Sequence, residues 1–534
     1  MDAILSSGDS RRKWILFLLS SIGAWAIFYV SKAWYTWSKL PPGPRGLPVL
    51  GNLLQLRNGR HWLTFADWKK KYGPLIYLNF AGQPAIVLGS QKVAADLQDR
   101  RAHIYSDRPF NYVATELLTG GLAFAFAQHG DVWKRQRKGA HEALSPQMSK
   151  NYCGFQETES IILLDQLMTA PDDWDKHFRR TSISLMLSVL YGSPPLLDSR
   201  DPHIERVNQF TERAVEAATP GAFLVEYFTW MKYLPRWMTP WRAWAEDHFK
   251  RDSEMFESMF AGVEERMNAG DETASVVATL IRDREQKGLT MKEAAWLPVT
   301  LYAAGAETTS SQLAWFLQAI VLHPEIQKRA QKEIDHVVGS HRLPTFDDFA
   351  KLTYIRALVK EILRWRPTNP IFLPHRLCQD DYYEGYFVPK DSLCITNLWA
   401  INLDKEIYGE DAEEFKPERF LNENGEITSS VPDSKDEGHF SFGFGRRICV
   451  GRHVANNSLF IQIASLLWAF DISPEVDASG NPCLPDSLDC IDYGLVVRPV
   501  PFRCKFSARH PEVMDIVAQA KADRGIQASH DTRT

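Results

Sequence analysis

Among the seven cysteines of this 534-residue chain, one lies in a segment rich in backbone freedom. Phe440 to Gly451 reads FSFGFGRRICVG, with Cys449 near its end and Gly443, Gly445 and Gly451 around it. Glycine turns tightly and lets backbone approach a flat partner where a side chain would collide. A cysteine is a metal ligand only as thiolate, and backbone N–H groups in such a turn favour the anion without handing it a proton. Arg447 stands two residues before the cysteine, placed to pair with an acidic group on whatever Cys449 binds. Beyond it the pattern turns apolar (Leu459, Phe460, Ile461, Ile463, Leu466, Leu467), so a helix is expected to begin beside Cys449. Its positive end would favour the thiolate further. A structural cysteine in a glycine turn is the alternative.

Three other constellations carry chemistry. Ala304 to Thr309 reads AGAETT inside a long apolar stretch, where a glycine, an acid and two hydroxyls are costly unless something uses them. A helix crossing with Thr308 bonded back to a carbonyl would also explain them. Glu361 and Arg364 stand three apart, on one helical face, where a buried pair can be fixed by a third group. Trp133 and Arg137 stand four apart in WKRQR, so one helical face offers an indole N–H and a guanidinium together.

Taken together these segments resemble the cytochrome P450 family of haem-thiolate monooxygenases. The signature FxxGxRxCxG is met by Phe442, Gly445, Arg447, Cys449 and Gly451, with Val450 where many members have proline. The pair Glu361–Arg364, FKPERF from Phe415 to Phe420, and AGAETT fall in the family's order. The resemblance implies haem b with its iron held by the Cys449 thiolate, Phe442 and Gly443 belonging to the haem-binding loop. It implies propionate contacts from Arg447, Trp133, Arg137 and, in LPHR, His375. Glu361, Arg364 and Arg419 would lock the backbone near the cysteine. Thr308 and Glu307 would relay protons to bound dioxygen, and Gly305 with Thr308 would widen the helix groove for it. The implied reaction inserts one oxygen atom of O2 into a small organic substrate. Electrons would come from an NADPH-dependent cytochrome reductase, with a b-type cytochrome as a further donor, since no flavin- or iron–sulfur-binding segment is evident. Segments matching the family's pocket are mostly apolar (Phe110, Tyr112, Phe124, Phe126, Ile371 to Leu373), which favours an apolar or aromatic substrate. The runs LPPGPRGLP, FKPERF and RRIC look like those of fungal members acting in secondary metabolism. Two rival classes stay open: a same-fold isomerase or dehydratase working without reductase, and a non-catalytic haem-binding sensor. The first usually disturbs the acid–threonine pair, which this chain keeps.

The elements that must position these residues are mainly helices with small β-sheets, an α+β architecture in one large haem domain. Helices are expected over Met291–Leu322, Pro324–Val338 and Leu352–Arg364, strands over Leu75–Asn79, Ala85–Leu88 and Ser392–Thr396. The domain is expected to span 40–505, opening on a stiff proline-rich hinge at 40–48, with a polar tail at 506–534 that frays or forms one short helix. Residues 1–39 are expected to be a membrane anchor. Trp14 to Val30 is almost wholly apolar and follows Arg11, Arg12 and Lys13, and as a helix it rises roughly 25 Å. Trp34, Tyr35 and Trp37 extend it toward the roughly 30 Å of a bilayer core and supply an interfacial belt. A single-pass protein of the endoplasmic reticulum with a cytosolic haem domain follows from the resemblance; charge alone does not orient it. A net charge of −5, from 61 basic and 66 acidic side chains, excludes a general pull toward nucleic acid. Scattered cysteines without CxxC pairs argue against a disulfide framework.

Overall fold

The computed structural model describes residues 14, 17, 20–21, 38–56, 59–197, 202–219, 221–428 and 431–526. The expected anchor falls almost wholly outside them. Among the described residues no helix is long and apolar enough to cross a membrane.

Seven helices organise the site: α1 (Asp131–Ala143), α2 (Cys153–Thr169), α3 (Trp174–Tyr191), α4 (Pro240–Asn268), α5 (Met291–Leu322), α6 (Thr353–Trp365) and α7 (Arg452–Ala469). The strands are β1 (Leu75–Phe80), β2 (Gln83–Leu88), β3 (His375–Arg376), β4 (Asp381–Tyr383), β5 (Tyr386–Val388), β6 (Leu393–Thr396), β7 (Phe470–Pro474), β8 (Cys490–Asp492), β9 (Val497–Pro499) and β10 (Cys504–Ala508). Helix α5 is the axis of the molecule. It opens on a capping box, Thr290 Oγ1 accepting from Glu293 N while the Glu293 carboxylate accepts from Thr290 N, and packs against α3, α4, α6 and α7. Leu313, Phe316, Leu317 and Ile320 are fully buried, each contributing roughly 1.5–3 kcal/mol of apolar burial.

The main sheet runs β1-β2-β6-β3, with β1–β2 and β6–β3 antiparallel and β2–β6 parallel. Strands β1, β2 and β6 match the three expected ones to within two residues, and β3 was not expected. The proline-rich hinge is fastened to the edge of this sheet: Tyr77 N donates to Pro42 O at 3.0 Å, and a Cβ on Gly43 would lie 2.1 Å from Tyr77 O. Only glycine permits that approach. At the other end, β10 runs across the expected boundary at 505/506. The following helix, Val513–Asp523, buries Val513 and Val517, and Lys521 pairs with Asp165 at 2.5 Å. The tail residues up to 526 are therefore part of the body, because two valines four apart give an alanine-rich helix something to bury.

Candidate active site

The cysteine loop enters from Phe440 and leaves into α7. Cys449 N donates to Phe442 O at 2.9 Å, closing the loop on itself, and Phe442 is 9% exposed with its ring 5.4 Å from that of His439. Gly443 and Gly445 have φ of 77° and 64°, in the left-handed region. Their glycine requirement comes from protein atoms: a Cβ on Gly443 would sit 2.4 Å from the Phe372 ring, and one on Gly445 2.0 Å from Gln98 O. Gly445 N also donates to Asp99 Oδ1 at 2.6 Å. Gly451 differs, since a Cβ there meets no atom within 4 Å and its φ is −87°. Helix α7 begins at the next residue, as expected. Burial pushes the Cys449 thiol above its ordinary value, against the Gly451 N–H and the Arg137 and Arg452 guanidiniums, which favour the anion. A coordinated metal ion removes such a proton outright.

A buried ionic lock holds this loop's surroundings. Glu361 and Arg364 have fully buried side chains and pair through two bonds, Arg364 Nε and Nη2 donating to Oε2 and Oε1 at 2.6 and 2.7 Å. Arg364 spends its other hydrogens on the carbonyls of Asn402, Ala412 and Glu414, while Glu361 Oε1 also accepts from Lys416 N. Arg419 lies 3.6 Å from Glu361 and binds the Tyr408 and Asp411 carbonyls. The expected triad is thus assembled, and it stitches α6 to residues 402–419. Ser441 Oγ, at the entrance of the cysteine loop, donates to Leu363 O on the same helix.

The four expected propionate residues converge from three parts of the chain. Helix α1 presents Trp133, 4% exposed, and Arg137, whose Nη1 donates to Ile448 O at 2.8 Å, beside the cysteine. Arg447 stacks its guanidinium 4.1 Å over the Trp133 ring and donates to Ser106 O and Ala127 O. His375, on β3, is 1% exposed and held through Nδ1 to Tyr105 O at 2.7 Å. Three buried atoms of this group have no hydrogen-bond partner among the described residues: Trp133 Nε1, Arg447 Nη1 and His375 Nε2. Native interiors rarely leave donors such as the Trp133 indole and the Arg447 guanidinium unmade, so these two point to an acceptor that is not protein. Sequence reading missed a fifth member, Arg108, 4% exposed and bound to the Leu373, Pro374 and Ala125 carbonyls. Burial drags Arg447 down to about 8 and Arg108 down to about 9. A guanidinium keeps its proton, so the pull expresses how poorly these charges are compensated by protein alone. His375 is pulled well below its usual value by burial and by Arg108 and Arg447. Its Nδ1 donates to a carbonyl, so Nε2 carries a hydrogen only when an anion makes the ring cationic. A group with two carboxylates and a metal centre fits this donor set.

On the opposite side, α5 turns Ala304, Gly305, Glu307, Thr308 and Thr309 away from the packed core. Thr308 Oγ1 donates back to Ala304 O at 2.7 Å. A Cβ on Gly305 would lie 2.4 Å from Met186 Sδ, so this glycine serves close packing of α5 on α3, and α5 is helical throughout. The Glu307 carboxylate pairs with Arg179 Nη1 at 2.8 Å and lies 3.8 Å from Arg498 Nη1, while Asp175 binds both arginines. Nothing in the sequence linked α3 and β9 to this acid.

Comparison with known proteins agrees with this geometry. The family model described as cytochrome P450 matches residues 41–506. A cytochrome P450 monooxygenase of Armillaria gallica is 49% identical over 508 residues, 95% of this chain and 96% of its own. Cytochrome P450 monooxygenase 58 of Postia placenta is 45% identical over 479 residues, 90% of each chain. Cytochrome P450 monooxygenase iboC of Amanita muscaria is 38% identical over 528 residues, covering 90% of this chain and 93% of its own. A family match over nearly the whole folded body, on a chain that brings a cysteine loop, a buried Glu–Arg lock and orphaned donors together, places the protein in the cytochrome P450 family: it is a haem-thiolate monooxygenase.

Proposed function

We propose that Cys449 is the axial ligand of haem b, that Trp133, Arg137, His375 and Arg447, joined by Arg108, hold its propionates, and that Phe442 and Gly443 shape the ligand loop. The observation that carries this reading is a pair of buried, partnerless donors, Trp133 Nε1 and Arg447 Nη1, with the partnerless His375 Nε2 beside them. When bound, the haem supplies oxygen activation, with the thiolate donating electron density toward it. The chain's own part is to position and to move protons. Arg137 and the Gly451 N–H stabilise the sulfur anion, and the Glu361–Arg364–Arg419 lock keeps the loop from shifting. Thr308, on the open face of α5, donates its hydroxyl hydrogen to Ala304 O, and rotation about χ1 would turn that donor toward a bound ligand. Glu307, paired with Arg179, is the acid that would link this hydroxyl to solvent.

The substrate class we infer is a small apolar or aromatic molecule, in fungal secondary-metabolite formation. The relatives come from fungi, and the segments matched to the family's pocket, Phe110, Tyr112, Phe124, Phe126 and Ile371 to Leu373, are mostly apolar. An NADPH–cytochrome reductase is the electron source we assign, with a b-type cytochrome as a second donor; exposed Lys138 and Arg446 flank the cysteine side and suit an acidic partner. Membrane attachment through residues 14–30, at the endoplasmic reticulum with the haem domain cytosolic, is supported by the apolar sequence there. A patch exposing Leu224, Tyr227, Phe228, Trp230, Tyr233 and Trp237 beside Lys232 and Arg236 supports it too, and flotation with lipid vesicles checks it. The test of the catalytic reading is Thr308→Ala. It is expected to leave substrate binding intact while NADPH use runs ahead of product and peroxide accumulates. Unchanged coupling removes Thr308 from proton delivery, and product formed without NADPH or reductase favours the isomerase or dehydratase reading.

A further inference from the structure

The segment from Val431 to Phe440, which leads into the cysteine loop, carries three non-glycine residues in the left-handed region within four positions: Asp433, Lys435 and Asp436, at φ of 59°, 55° and 67°. Such conformations persist only where the surroundings over-determine them. Here they do. Arg100 grips Asp433 at 3.1 and 3.2 Å, Lys435 lies 3.5 Å from Asp99, and Gly438 N donates to Ser434 Oγ at 3.1 Å. Lys360 of α6 donates to the carbonyls of Asp436 and Glu437 at 3.0 and 2.7 Å, and Tyr408 to that of Gly438 at 3.0 Å. The outcome of this contortion is specific. Lys435 and Asp436 stay at the surface, and the next side chain, Glu437, is turned inward to 8% exposure.

Buried, Glu437 reaches the first turn of α7. Its Oε2 accepts from Asn456 Nδ2 at 2.9 Å, and its Oε1 lies 3.7 Å from Arg452 Nε. Arg452 in turn points Nη1 at the carbonyl of Cys449, 3.4 Å away. Burial pushes the Glu437 carboxyl up, while Lys360, Asn456 and Arg452 favour its anion. Around Cys449 the cations are Arg137 and Arg452, and Glu437 is the acid that acts against them. A strained strap therefore buries one negative charge near the residue that ligates the metal, beside the arginine that approaches its carbonyl.

We propose that Glu437 tunes the electrostatics of the iron ligand: its buried carboxylate, 3.7 Å from the Arg452 guanidinium, offsets the positive charge beside Cys449 and holds down the reduction potential of the bound haem. This rests on Cys449 being the ligand. A negative charge near a metal opposes electron uptake, and in this water-poor setting it is little screened. Its loss should ease the first electron's entry, and loss of Arg452 should do the reverse.

The experiment is a spectroelectrochemical titration of the purified, haem-loaded enzyme, its Glu437→Gln and its Arg452→Gln forms, with the reduced carbon monoxide spectrum recorded for each. Glutamine keeps the shape and an acceptor for Asn456, so a purely structural strap would leave the potential unmoved. The expected result for Glu437→Gln is a shift of the one-electron equilibrium toward the reduced state by about threefold to tenfold, which is about 28–59 mV positive at about 59 mV per decade. Arg452→Gln is expected to shift it in the negative direction and remains informative if Glu437→Gln fails to fold. Unmoved potentials, or shifts of the same sign in both variants, overturn the proposal while a thiolate-type carbon monoxide spectrum leaves the ligand assignment standing. A wild-type spectrum of histidine type removes the ligand assignment first, and this inference falls with it.

Discussion

Trp133→Phe separates a residue that packs from one that waits for an anion. The indole lies between the Phe124 ring, parallel at 6.4 Å, and the Arg447 guanidinium at 4.1 Å, and both are aromatic-face contacts that phenylalanine keeps. What the substitution deletes is Nε1–H, buried and without a partner in the protein. A buried donor left unmade costs about 1–3 kcal/mol, so its deletion relieves the haem-free protein. The smaller ring returns a similar amount as lost packing. Haem-free stability should therefore change by no more than about 1 kcal/mol, in either direction. The loaded protein loses instead a hydrogen bond to a charged group, about 1.5–3 kcal/mol, or about 10- to 150-fold in haem affinity. The assay is paired: urea unfolding of the haem-free protein, and haem loss to an excess of apomyoglobin from the loaded one. Equal destabilisation of both forms, or haem retention unchanged, refutes the assignment of Trp133 to a propionate.

Gly445→Ala is expected to destabilise the haem-free protein by about 2–5 kcal/mol, combining a left-handed penalty of about 1–2 with overpacking of about 1–3 against a backbone oxygen that cannot swing aside. Gly451→Ala, meeting no protein atom within 4 Å, should stay within about 0.5 kcal/mol without haem and yet weaken haem binding; thermal unfolding with and without haem distinguishes the two. Glu361→Gln removes the charge opposite Arg364 in a fully buried pair and is expected to cost about 3–5 kcal/mol, a large part of the stability of a typical domain. A change under about 1 kcal/mol in urea would show that the lock is not an ion pair in energetic terms.

What the sequence revealed and what it hid follow one physical line. Glu361 and Arg364, Trp133 and Arg137, and the turn of Phe442 to Gly451 are legible because helical geometry or turn chemistry fixes the relation between near neighbours. Helix α5 runs over the expected Met291–Leu322, since helical periodicity and the break at His323 and Pro324 are local signals, while its N-cap Thr290 was seen only in the structure. Arg108 was not, because a single arginine in an extended segment has no period, and its partners Leu373 and Pro374 lie 265 and 266 residues away. The same holds for Arg179 and Arg498 against Glu307, and for Glu437, whose inward turn depends on Lys360 and Arg100. The glycines teach a narrower lesson. Their need was evident, but at Gly443, Gly445 and Gly305 the crowding atoms belong to Phe372, Gln98 and Met186.

The direct test of the central claim is the Soret spectrum of the reduced, carbon monoxide-bound protein beside that of Cys449→His. The account predicts a thiolate-type band for the native chain and its replacement by a histidine-type band in the variant. A histidine-type band in the native protein, or a thiolate-type band that survives the substitution, would contradict it.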